Sequence, residues 1–84
     1  MNYIFFMDKN GKERIIRTHF PIFTATIKEQ YEIETNTCSP VFDGKKVCVD
    51  ELMQDCPPSK LEWAIKKAVK YYKFIKSKEE NEGQ

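Results

Sequence analysis

The residues of this 84-residue chain best equipped for chemistry are three cysteines and one histidine. Cys38, Cys48 and Cys56 with His19 supply the ligand types of a structural zinc site. Their spacing argues against one, because no two of the cysteines lie two to four residues apart as zinc knuckles require. Cys48 sits in the alternating run Val47-Cys48-Val49 and reads as a small buried hydrophobe. An odd cysteine count cannot pair completely, so free thiols in a reducing compartment are expected. A Cys38–Cys56 or Cys48–Cys56 disulfide is the alternative in an oxidising one.

Catalytic patterns are equally sparse. His19 is the one histidine and stands near Pro21, a structural setting, and no serine, histidine and aspartate set can be proposed from spacing. Gly11, Gly44 and Gly83 never cluster, so no loop is built to cradle phosphate. Asp50-Glu51 precede the apolar pair Leu52-Met53 and read as helix-start carboxylates. The chain is expected to carry no catalytic residue, no metal and no cofactor.

A different chemistry, that of recognition, is written into Ser59–Lys78. Lys66, Lys67, Lys70, Lys73 and Lys78 share one side of a helix with Trp63 and Phe74 at 100° per residue. Lysines attract phosphates or carboxylates, while Trp and Phe offer flat area that stacks on bases or fills a protein pocket. The competing account of this face is solvation, with Trp63 stapled onto Pro58 and Phe74 tucked under a neighbouring segment. The other side holds Leu61, Ala64, Ile65, Ala68, Val69, Tyr71, Tyr72 and Ile75 within an arc of about 160°, wide enough to pack on a sheet.

That sheet must come from the residues before Pro57-Pro58. Met1–Met7 and Glu13–Phe20 are rich in aromatic and β-branched residues, and Asn10-Gly11 between them predicts a type I′ hairpin. With those two as the turn, Tyr3, Phe5 and Met7 lie opposite Thr18, Ile16 and Arg14 on one face. Ile4, Phe6, Ile15 and Arg17 then share the other, and a longer, bulged loop would swap the assignment. Pro21 ends the second strand. Phe23, Ala25 and Ile27 alternate with polar residues, predicting a strand over 22–34, continuous or bent near Glu29, with a helical turn at Ile27–Tyr31 as the competitor. Thr35–Pro40 reads as loop, Asp43-Gly44 as a short hairpin turn and Asp50–Gln54 as one helical turn. The final helix is expected to start with a Ser59/Glu62 capping box and to end near Lys78, with a frayed tail over 79–84.

The expected fold is α+β: an antiparallel sheet of three or four strands, with one long C-terminal helix across it, in a single domain over 1–78. Hydrophobic residues make up 40% and charged residues 32%, an ordinary balance for a folded chain. No apolar run reaches the length of a membrane span, and the N-terminus lacks a signal peptide's basic region, so the cytoplasm is the expected compartment. Net charge is +1, but residues 57–78 carry +6 while 27–56 carry −4. Charge is therefore concentrated on the last helix.

Function is expected to be that of a small non-enzymatic interaction module, a regulator, adaptor or inhibitor of a larger protein, of the kind common on phages and mobile elements. Its expected partner-binding residues are Trp63, Lys66, Lys67, Lys70, Lys73 and Phe74 on the helix, with Ile4, Phe6, Ile15 and Arg17 on the hairpin's second face. Nucleic acid is the alternative partner, opposed by the acids of residues 27–56 and by the scarcity of arginine. A homodimer through that second face is the third expectation.

Overall fold

The computed structural model describes residues 2–34 and 36–82, with Glu80, Asn81 and Glu82 described by backbone only. Four strands, β1 (Tyr3–Met7), β2 (Glu13–Arg17), β3 (Phe23–Glu29) and β4 (Lys45–Leu52), form one antiparallel sheet in the order β1-β2-β3-β4, and α1 (Pro58–Glu82) lies across one face. The protein is thus an α+β fold, a four-stranded sheet with a single C-terminal helix.

The first hairpin forms with a different turn from the one expected. The Asp8 N–H donates to the Lys12 carbonyl at 2.9 Å, so Lys9, Asn10 and Gly11 make a three-residue loop. The Gly11 N–H reaches the Asp8 carbonyl at 3.0 Å, and Gly11 takes the positive φ of +79° that closes such a loop. The Asp8 carboxylate fixes this geometry by accepting from the Asn10 and Lys12 amides. One extra loop residue moves the register by one. Tyr3 now faces Arg17, Phe5 faces Ile15 and Met7 faces Glu13.

The type I′ turn occurs instead at Asp43-Gly44, with φ of +49° and +76° and reciprocal hydrogen bonds between Phe42 and Lys45. β3 stops at Glu29, where a turn begins, so Tyr31 and Ile33 are exposed loop residues and not a continuation of the strand. Residues 50–52, expected in a helical turn, continue β4. Asp50 is the extra residue of a bulge between the pairs Thr24–Glu51 and Ala25–Val49.

The helix begins one residue before the expected Ser59. Pro58 occupies the first helical position, where its missing N–H costs nothing, and the Lys60 and Leu61 amides donate to the Pro57 carbonyl. No Ser59–Glu62 capping box forms. The backbone stays helical beyond Lys78 to Glu82, four residues into the predicted tail, whose last two residues, Gly83 and Gln84, lie outside the described residues.

The core lies between sheet and helix. Ile15, Phe23, Ala25, Ile27, Val47 and Val49 project from the sheet against Ala64, Ile65, Ala68 and Tyr72. Ala64 and Ala68 let the backbones approach closely, and the Tyr3 hydroxyl donates to the Ala64 carbonyl at 2.7 Å. Tyr3 stacks on Tyr71 with centroids 5.5 Å apart, and Phe5 meets Tyr72 at 6.0 Å.

Candidate interaction surface

The shifted hairpin register decides which predicted contact residues are accessible. Ile15 (0% exposed) and Arg17 (3%) were expected beside Ile4 and Phe6, but they point under the helix. Their placement on the hairpin's second face is thereby corrected, and the cause is the three-residue loop. Ile4 (51%) and Phe6 (36%) remain open on the opposite side.

Arg17 is nonetheless close to the candidate surface. Its guanidinium donates to the Tyr3 hydroxyl at 2.9 Å and to the Phe20 carbonyl at 3.0 Å, and no carboxylate pairs with it among the described residues. It lies between two aromatic faces, 5.2 Å from the Tyr3 ring centroid and 5.1 Å from that of Trp63. Trp63 therefore rests on Arg17 with Lys60 at 5.8 Å, and 46% of it stays exposed. Phe74 is exposed to the same extent and is flanked by the Lys78 ammonium at 5.2 Å.

Between and beside these aromatics stand Lys66, Lys67, Lys70 and Lys73, all exposed. Among the described residues, Lys66, Lys67 and Lys70 enter no ion pair, while Lys73 leans 5.5 Å from the Phe42 ring. Lys66, Lys70 and Lys73 also form one wall of a groove of about 280 Å³. Its opposite wall is Pro40, Val41 and Phe42, and Val69 lies at its base. Sequence reading missed this second wall. The signal was present in the exposed apolar pair Pro40-Val41, but which helix face it meets is a matter of tertiary packing.

The segment forming that wall is tied down in a way the cysteine pattern did not suggest. Thr37–Ser39 pairs with the outer edge of β4, the Ser39 N–H donating to the Val47 carbonyl and the Val49 N–H to the Thr37 carbonyl. These bonds flank Cys38 and Cys48, making them a close, non-hydrogen-bonded pair across an antiparallel ladder. The two are joined by a disulfide, with their Cα atoms 4.0 Å apart. The expectation of three free thiols is corrected: Cys56 alone is free. The Cys38, Cys48, Cys56 and His19 set is not assembled, and the described residues contain no cluster of His, Cys, Asp and Glu suited to a metal ion.

A second polar cluster lies where the sheet meets the later turns of the helix. The Tyr72 hydroxyl donates to Glu13 at 2.7 Å, and Lys76 pairs with the same carboxylate and with Glu79. Burial alone would push the Glu13 carboxyl up. The hydrogen bonds from Lys76 and Tyr72, with the lysine charges, outweigh it and hold that carboxyl below its ordinary range. Burial, then the Glu13 bond and charge, push the Tyr72 phenol upward, and the Glu13 bond raises Lys76. A carboxylate held charged and a phenol held neutral form a fixed brace, with neither tuned to exchange protons near neutrality.

Of the acids of residues 27–56, three are engaged by side chains of the sheet, while Asp43 lines a pocket shared with Lys73. Glu29 pairs with Lys45, Glu34 with the buried Lys46, and Asp50 with Arg14 and Thr26. Lys46 also donates to the Glu32 carbonyl and Lys28 to that of Ile33, so the loop after β3 folds back over these two lysines on the sheet face opposite the helix. No described helix is long and apolar enough to cross a membrane. Compared with protein-family models, with curated proteins and with solved structures, the chain matches none.

Proposed function

We propose that this chain is a small non-enzymatic protein-interaction module, a regulator, adaptor or inhibitor, that docks a larger protein carrying an acidic, apolar-studded surface. The observation that carries this reading is the exposed helix face, where Trp63 and Phe74 stay half-open beside Lys66, Lys67 and Lys70, which enter no ion pair among the described residues. Desolvated aromatics at the centre of a patch are the usual anchors of protein interfaces. The surrounding lysines steer an acidic partner and set the salt dependence.

Nucleic acid is the second reading. It is favoured by one observation: Glu29, Glu34 and Asp50 are ion-paired, which lessens the repulsion their charges would offer phosphates. The proposed compartment also changes. The Cys38–Cys48 bond supports an oxidising environment over the cytoplasm expected from sequence.

A pull-down from the native host with wild-type protein and a Lys66→Glu/Lys70→Glu/Lys73→Glu variant tests the proposal. The variant should keep its fold, since all three side chains are exposed, and should lose the acidic partner. Retention of every partner by a folded variant would sink the helix-face assignment. Binding of DNA or RNA at low salt, lost by the variant, would favour the second reading.

A further inference from the structure

We propose that the open edge of β1 pairs with the same edge of a second copy of this chain, joining two four-stranded sheets into one continuous antiparallel sheet. The direction of the backbone groups follows from the ladder. The Thr18 N–H donates to the Asn2 carbonyl at 2.8 Å and the Asp8 N–H to the Lys12 carbonyl at 2.9 Å. With the observed register, the even-numbered residues Ile4 and Phe6 therefore exchange hydrogen bonds with β2. The N–H and C=O groups of Tyr3, Phe5 and Met7 point the other way. Among the described residues nothing pairs with them, since β1 is the end strand of the sheet.

The two edges of the sheet are treated differently. The β4 edge is closed by Thr37–Ser39 and the Cys38–Cys48 bond. β1 carries none of the usual protections, having no lysine, no proline, no bulge and no charged residue in Tyr-Ile-Phe-Phe-Met. Ile4, Phe6 and Met7 are exposed along it.

A second copy suits this edge because the strand is complementary to itself. With a two-fold axis at Phe5, the outward amides of Tyr3, Phe5 and Met7 meet the carbonyls of the partner's Met7, Phe5 and Tyr3. Ile4 then lies directly opposite the partner's Phe6 in a close pair on the face that the helix leaves open. The contact is isologous and closes after two copies. No like charges are brought together, because the strand carries none. The proposal is independent of the helix face.

Sedimentation equilibrium and amide hydrogen exchange on the full chain test it. The expected mass is twice the 10.0 kDa of one chain, with slow exchange at Tyr3, Phe5 and Met7. Met7→Pro removes an outward N–H that makes no bond to β2, and should yield a folded 10.0 kDa monomer in which Tyr3 and Phe5 amides exchange at least roughly tenfold faster. Ile4→Lys, at an exposed site, should weaken the dimer in the same way, while the lysine-to-glutamate helix variant should leave it intact. A wild-type chain that stays monomeric at millimolar concentration overturns the proposal, the edge then being open to a foreign strand or to water. So does a dimer whose Tyr3, Phe5 and Met7 amides exchange as fast as exposed loop amides.

Discussion

Glu13, Tyr72 and Lys76 show how a few side chains tie the last helix to the first hairpin. Their pH behaviour follows from the directions of their shifts. Glu13 is depressed in the fold, so its contribution is present above the unfolded carboxylate value near about 4.3 and is lost as pH falls through the lower folded value. Tyr72 and Lys76 are raised, so theirs is present below their unfolded values near about 10 and is lost only in strong alkali. The brace is thus complete across the neutral range. Tyr72→Phe should cost about 1.5–3 kcal/mol at pH 7, the worth of a hydrogen bond to a charged group. Glu13→Gln should flatten the fall in stability as pH drops below the unfolded carboxylate value of about 4.3, as read from urea midpoints at several pH values. A Glu13→Gln protein that loses stability as steeply as the wild type would remove this account. Arg17 is the contrasting residue. It is buried without a carboxylate, its charge spread over the Tyr3 and Trp63 rings and two acceptor oxygens, and it was assigned to the wrong face from sequence because one loop residue reverses the parity of a whole strand.

At the level of elements, the helix was the most legible part of the chain. Its apolar arc is a property of the 3.6-residue period and needs no knowledge of what it covers. Ala64, Ala68 and Tyr72 are buried as that period requires. Lys76 falls inside the apolar arc, between the directions of Ile65 and Val69, and is accordingly half-buried against Glu13. The small residues at 64 and 68 set the helix-to-sheet distance. Ala68→Leu should therefore destabilise by about 1–3 kcal/mol through overpacking, although leucine is nearly as good a helix former as alanine. Lys70→Ala on the open face should stay within about 0.5 kcal/mol. Equal effects in chemical denaturation would show that residue 68 does not face the sheet. The hairpins were legible as hairpins, but not their turn types. Asn-Gly and Asp-Gly both favour positive φ, and the choice was made by the Asp8 carboxylate, which binds two loop amides and stabilises the longer loop.

For the whole molecule, size sets the terms. A chain of 84 residues has a total stability of roughly 4–12 kcal/mol, so each cross-link counts. The Cys38–Cys48 bond closes a loop with a sequence separation of 10, for which the loop-entropy relation gives about 2–3 kcal/mol. Reduction should lower the melting temperature by roughly 10–20 °C at about 4–8 °C per kcal/mol for a domain of this size. Alkylation of unreduced, unfolded protein should label Cys56 alone. Labelling of all three thiols would show that the bond is absent from the isolated protein. The helix of 25 residues spans about 37 Å, close to the longest molecular extent of 42 Å. Strands of five to eight residues are shorter, so the side chains of Ser77, Lys78 and Glu79 stand exposed at the end of the helix.

By itself the sequence determined the α+β class, the strand-rich first half, the helix with its apolar arc, and the lysines and aromatics of the other side. All of these follow from local periodicity, turn chemistry and composition, which act over a few residues. The tertiary structure alone decided that Ile15 and Arg17 lie inside, that Cys38 meets Cys48, that Pro40 and Val41 form a wall beside Lys66 and Lys70, and that one sheet edge is closed while β1 stays open. Each of these depends on the register or juxtaposition of segments far apart in the chain. A single residue's difference in one loop is enough to change it.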